Sequence, residues 1–154
     1  MSLQAVLPHP AASKLSIDRL RGLDRAVTVV QLVAITVAFF SSDAVRNVVA
    51  VGCSVVFVLG AALFSWAFVV AAGRSRLEEL TVAGAFFLAG SVDAAHRRWA
   101  WGWLGAQSVI GIAGAAADPY TTMAFGVLVP MFGLGVVAFL GSAHGVFRPR
   151  KPTK

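Results

Sequence analysis

Asp93 and His96 stand three residues apart and are followed directly by Arg97 and Arg98. On a helix the first two would share a face, and such a pair could titrate near neutral pH or contribute to a metal site. One imidazole and one carboxylate are too few ligands for a metal. Asp93 is also placed to cap the helix that follows it, and the cap is the preferred reading. Gln31 and Gln107 are the other polar pair: each sits inside an apolar run, and an interhelical hydrogen bond between them would act as structural glue. Cys53 is the single cysteine, so no intramolecular disulfide or zinc site can form. No nucleophile has a neighbouring base, and there is neither a glycine-rich phosphate loop nor a ligand cluster. No catalytic residue, metal or cofactor is therefore assigned, and a non-enzymatic protein is expected.

The composition explains what must position these residues. Of 154 residues, 58% are hydrophobic and 13% charged, with a mean hydropathy of +0.79. Soluble domains carry about 25% charged residues, so this chain has too little polar surface to face water on all sides. A net charge of +6 could indicate nucleic-acid binding. The basic residues lie in short patches between apolar runs, however, which fits anionic lipid headgroups at the ends of membrane spans and no nucleic-acid partner.

Read in order, residues 1–25 form a basic tail without a signal-peptide apolar core. Apolar runs follow at 26–42, 48–72, 99–117 and 121–142, each close to the roughly 17–25 residues that cross a bilayer. Residues 143–154 form a second basic, proline-containing tail. A loop of Asp43 to Asn47 joins the first two runs. Trp99, Trp101 and Trp103 open the third as an interfacial belt, and Pro130 with Gly133 and Gly135 should kink the last. Between the second and third lies Leu80 to Val92, an apolar run of thirteen residues in which Thr81 and Ser91 are the polar side chains. As a helix it would be about 20 Å long, short of the roughly 30 Å hydrocarbon core.

That short run decides the topology. If it does not cross, residues 1–25, 73–98 and 143–154 share one side and collect twelve of the thirteen Lys and Arg residues, leaving only Arg46 opposite. The positive-inside bias makes that side cytoplasmic. The expectation is an all-α membrane protein: four transmembrane helices as two antiparallel hairpins, joined by a half-inserted or re-entrant cytoplasmic-side helix at 80–92, with both termini in the cytoplasm.

Candidate binding features follow from this topology. Gly102 with Ala106, and Gly111 with Ala115, form small-residue pairs that let helices approach closely, within the bundle or between two copies. Pro130, Gly133 and Gly135 mark a ligand or hinge region. Arg21, Arg25, Arg74, Arg76, Arg97, Arg98, Arg148 and Arg150 are placed for lipid headgroup contact. None of the four runs carries an ionisable residue at its apolar centre, which argues against proton-coupled transport.

The stretch TTMAFGVLVPMFGLGVVAFLGSAHGVFRPR from Thr121 to Arg150, together with FFLAGSV at 86–92, resembles small uncharacterised multi-pass membrane proteins of actinobacteria. The similarity covers less than half of the chain. It implies a bacterial plasma membrane and brings no activity with it. The functional expectation is an accessory or scaffold subunit with a membrane protein partner or as a homodimer. The alternative is a small transporter or lipid-handling protein for a neutral or amphipathic ligand.

Overall fold

The computed structural model describes residues 17–150, whose named elements are all helices, with one isolated antiparallel bridge between Glu78 and Pro149. The helices are α1 (Ile17–Phe39), α2 (Asp43–Arg74), α3 (Val82–Phe87), α4 (Ala94–Ala117) and α5 (Pro130–His144), with a 3₁₀ helix, Thr122–Leu128, leading into α5. Three helical stretches are long and apolar enough to cross a membrane: Ile17–Phe39, Asp43–Arg74 and Thr122–His144. At 24 residues α4 is also long enough, but it is not among those three.

The long helices alternate in direction. Arg21 lies over the Trp99 ring and Ile35 meets Gly114, so α1 and α4 run in parallel. Gly60 meets Phe132 and Arg74 reaches Ser142, which makes α2 parallel to α5. Sequence neighbours are thus antiparallel, yet the tightest packing joins helices that are not consecutive. The α2–α5 contact is the most extensive, while α1 touches α2 only sparsely.

Helix α5 lies at the centre. Every residue from Gly135 to Ala143 is buried, as expected of a helix apolar all round. Its glycines let neighbouring backbones reach it. A Cβ added to Gly60 would stand 2.5 Å from the Phe132 backbone, and one on Gly135 would stand 2.6 Å from the Gly60 carbonyl. Helix α1 instead turns one stripe inward, Leu20, Asp24, Thr28, Gln31, Ile35 and Ala38, at the three- and four-residue steps of a helix face.

Several boundaries differ from the sequence reading. The basic tail assigned to residues 1–25 lies outside the described residues up to 16, but Ile17 to Arg25 belong to α1, continuous with the apolar run. The expected loop at Asp43 to Asn47 is helical, because Asp43 opens α2. The last run is not one kinked α-helix. It is a 3₁₀ turn followed by an α-helix that starts at Pro130, where proline's missing N–H is tolerated.

The 80–92 run forms a helix over only six of its residues. Thr81 caps α3 by accepting the Gly84 N–H at 3.0 Å, and the helix ends at Leu88 in the left-handed conformation (φ 58°). That conformation costs about 1–2 kcal/mol in a non-glycine residue. Complete burial of Leu88 among Ala100, Val137 and Leu140 offsets it. Gly90 continues the reversal at φ 74°, and Ser91 donates to the Gly84 carbonyl at 2.6 Å. The segment packs against α5, where Gly141 meets the Ala85 carbonyl.

Residues 145–150 also depart from an unfolded tail. Val146 donates to Ser91 O at 2.8 Å, Glu79 to Arg148 O at 2.8 Å and Arg150 to Leu77 O at 2.9 Å, so the segment pairs with both ends of the 77–91 connection. Residues 151–154 lie outside the described residues.

Close approach at Gly60 has a measurable consequence. Gly60→Leu should lower stability by about 3 kcal/mol, the upper end of overpacking costs, read as a fall in Tm in detergent micelles. Gly22→Ala, where a Cβ meets nothing within 4 Å, should not lower it.

Candidate functional site

The inward stripe of α1 carries three polar residues against one from α4. Asp24, Thr28 and Gln31 are at most 4% exposed and Gln107 is fully buried. Gln107 Nε2 donates to Asp24 Oδ1 at 2.9 Å and to Thr28 Oγ1 at 3.0 Å, while the Thr28 hydroxyl donates to the Asp24 carbonyl at 2.8 Å. Gln31 Nε2 donates to the Gln107 carbonyl at 3.1 Å and the Gly126 carbonyl at 3.2 Å. The second bond has a clear cause. Gly126 is four residues before Pro130, which has no N–H for the α-helical bond, so its carbonyl keeps only the longer bond from Val129 N–H at 3.4 Å. Gln31 supplies a donor there.

The two glutamines therefore meet, but through backbone and third-party groups and not amide to amide. Both amide oxygens, Gln31 Oε1 and Gln107 Oε1, are buried without a hydrogen-bond partner among the described residues. Gln107 Oε1 is hemmed in by Gly133, where a Cβ would come within 2.6 Å.

Asp24 was missed by reading the sequence, because it was assigned to the basic tail. It lies outside the 26–42 run, eighth in α1, so the bundle buries a carboxyl that a reading confined to the apolar centres of the runs does not reach. The signal was present: Asp24, Thr28, Gln31, Ile35 and Ala38 lie on one helical face.

A second cluster closes the end of the bundle where α2 and α5 finish. Arg74, expected at lipid headgroups, is instead buried. Its Nη1 donates to Ser142 O at 2.7 Å and its Nη2 to Gly145 O at 2.9 Å, while Nη2 pairs with Glu78 Oε2 at 2.7 Å. The guanidinium also lies over the Phe147 ring, 5.2 Å from its centroid. The last carbonyls of α5 lack helical donors, and a cation at a helix C-terminus answers both the lone pairs and the dipole. The spacing Arg74–Glu78, one helical turn, was the available sequence signal.

Of the other cations expected at headgroups, Arg25, Arg76, Arg97, Arg98 and Arg148 are exposed. Arg21 is half-buried, 5.2 Å from the centroid of the Trp99 ring. Arg150 is exposed and donates to Ser75 O at 3.3 Å. Trp99 packs inside the bundle beside Leu20 and Leu88 and does not sit in a surface belt, whereas Trp101 is exposed and stacks on Phe87. At the opposite end Arg46 pairs with Asp118 at 3.3 Å and donates to Ala38 O.

Asp93 is the N-cap of α4. It accepts the His96 backbone N–H at 2.7 Å and lies 2.6 Å from His96 Nδ1. The backbone hydrogen bond, followed by the ring contact, holds its carboxyl below the ordinary 3.8. No group of three or more potential metal ligands occurs among the described residues.

The small-residue pairs separate. Gly111 packs against Gly126, with Ala115 half-buried one turn on, whereas Gly102 faces outward and a Cβ there would meet nothing within 4 Å. The Gly102–Ala106 pair therefore does not pack within the bundle. Gly114, not singled out from the sequence, takes that role by meeting Ile35. Pro130 starts α5, and Gly133 and Gly135 lie against Gln107 and Gly60.

No family model, curated protein or solved structure matches the chain.

The buried network makes a defined prediction. Gln107→Leu leaves Asp24 Oδ1 and the Thr28 hydroxyl without that donor and should cost about 1–3 kcal/mol. Adding Asp24→Leu should recover part of the loss, since removing both partners is less costly than removing one. Chemical denaturation of the two single variants and the double variant in mild detergent measures the coupling.

Proposed function

We propose that this chain is a four-span plasma-membrane protein of bacterial origin that serves as a non-enzymatic accessory or scaffold subunit, covering a partner membrane helix with the outer face of α4. The observation that carries the reading is the unequal use of α4. This helix is long enough to cross a bilayer but is not among the three candidate spans. Its outward side presents Gly102 and Gly105, where nothing lies within 4 Å of an added Cβ. Around these glycines the outward face is apolar, with Trp101, Val109 and Ile112 exposed beside them, and a small-residue notch in such a face is suited to a second helix approaching closely.

The interior supports the same reading. Around α5 the backbones are in contact, and the glycines expected to open a ligand region are filled against their neighbours. For the topology, the clustering of Arg21, Arg25, Arg74, Arg76, Arg97, Arg98, Arg148 and Arg150 at one end, with Arg46 at the other, supports cytoplasmic termini. Exposed arginines at that end are suited to anionic headgroups.

Affinity purification from native membranes tests the subunit role. One stoichiometric partner, lost in Gly102→Leu and Gly105→Leu but retained in Gly22→Ala, is the expected result. A protein that purifies alone, or whose partner survives both leucine substitutions, refutes it. Topology is tested separately in a Cys53→Ser background. A cysteine at the exposed Ala89 should react with a membrane-impermeant maleimide only from the cytoplasmic side.

A further inference from the structure

Because α2 packs mainly on α5 and α1 on α4, the consecutive helices α1 and α2 leave a groove between them. It has a volume of about 270 Å³ and is lined by Val27, Val30 and Gln31 of α1, Gly52 and Cys53 of α2, and Val129. All of its lining side chains are hydrocarbon apart from the Gln31 amide and the Cys53 thiol. Gln31 is 4% exposed. Both contacts of its Nε2 are to backbone carbonyls of the bundle, and its Oε1 has no donor among the described residues. A buried amide oxygen without a partner costs about 1–3 kcal/mol, and a donor from a bound molecule would remove that cost.

We propose that this groove binds a neutral single-chain amphiphile bearing a hydroxyl, entering sideways from the bilayer and donating its hydroxyl hydrogen to Gln31 Oε1 once a turn of the amide uncovers that buried atom to the groove. Three observations select this ligand class. The unpartnered group is an acceptor, so the ligand must be a donor. Gln31 lies six residues beyond the exposed Arg25, about 9 Å further along α1 at 1.5 Å per residue and inside the apolar run, where a charged headgroup is disfavoured. At roughly 30 Å³ per water-sized group the groove holds about nine such groups. That suits a segment of hydrocarbon chain, whereas a helix about 10–12 Å across cannot fit. This inference goes beyond the subunit role and shares with it only the bilayer setting.

The test uses the full-length protein in phosphatidylcholine nanodiscs with 1-tetradecanol as the probe and tetradecane as the donor-free control, read by native mass spectrometry. Incorporation into the discs reports the membrane setting independently of ligand binding. Wild type should show a one-to-one alcohol adduct, with tetradecane at least tenfold weaker. Gly52→Leu should abolish the adduct while leaving the bundle intact, since a Cβ at Gly52 meets nothing within 4 Å. Gln31→Leu should weaken alcohol binding about tenfold and leave tetradecane unchanged. The alcohol should also slow maleimide labelling of Cys53 in wild type. Absence of an adduct in incorporated protein overturns the proposal, as does equal alcohol binding by wild type and Gly52→Leu, which would mark an adventitious additive only. Equal binding of alcohol and alkane by wild type also overturns it, and that comparison stands even if Gln31→Leu fails to fold.

Discussion

Backbone-to-backbone contact around α5 is the constraint from which the rest of the structure follows. Where lipid surrounds a bundle, hydrophobic burial does little to hold helices together, and close packing must do so. Gly60 and Gly135 bring α2 onto α5, Gly111 and Gly126 bring α4 onto the 3₁₀ helix, and Gly141 receives α3. Each contact is short enough that a single methyl group would displace a helix. With α5 enclosed, the side-chain hydrogen bonds across the bundle come from the helices around it: Gln31 of α1, Gln107 of α4 and Arg74 of α2.

Gln31 responds to a defect in the backbone. Pro130 removes the donor that the Gly126 carbonyl would have used in a regular helix, and the preceding turn adopts 3₁₀ geometry. Val129 N–H donates to that carbonyl at 3.4 Å and Gln31 adds a second donor; by also reaching the Gln107 carbonyl it fixes the position of α1 against α4. Gln107 in turn shelters Asp24. A carboxyl in a bundle interior is costly unless hydrogen-bonded, so Asp24 and Gln107 are best regarded as one unit.

The two ends of the bundle show the same economy of cations. Arg74 is withdrawn from the surface to take the terminal carbonyls of α5 and to hold the residues around Phe147. Arg46 does a smaller version of this at the opposite end, where it takes the Ala38 carbonyl of α1. An arginine that closes a helix end and one that meets lipid are chemically identical in sequence. They differ only in whether unpaired carbonyls lie within reach.

The sequence by itself determined the helical class, the apolar runs, the Asp93 cap and the presence of polar residues at Gln31 and Gln107, because these depend on hydropathy, local spacing and capping chemistry. It also held the periodic stripe containing Asp24, although a hydropathy boundary hid it: three arginines around that acid made the segment look like a tail. Only the tertiary structure decided the remaining features. Gly111 packs while Gly102 does not, since helix rotation, not residue type, selects the inward face. Arg74 is buried because α5 ends beside it, and the 80–92 run breaks at Leu88 because its side chain is buried against α4 and α5. The open groove between α1 and α2 belongs to the same group: it exists because each of those helices packs more closely on a distant partner than on its neighbour in sequence.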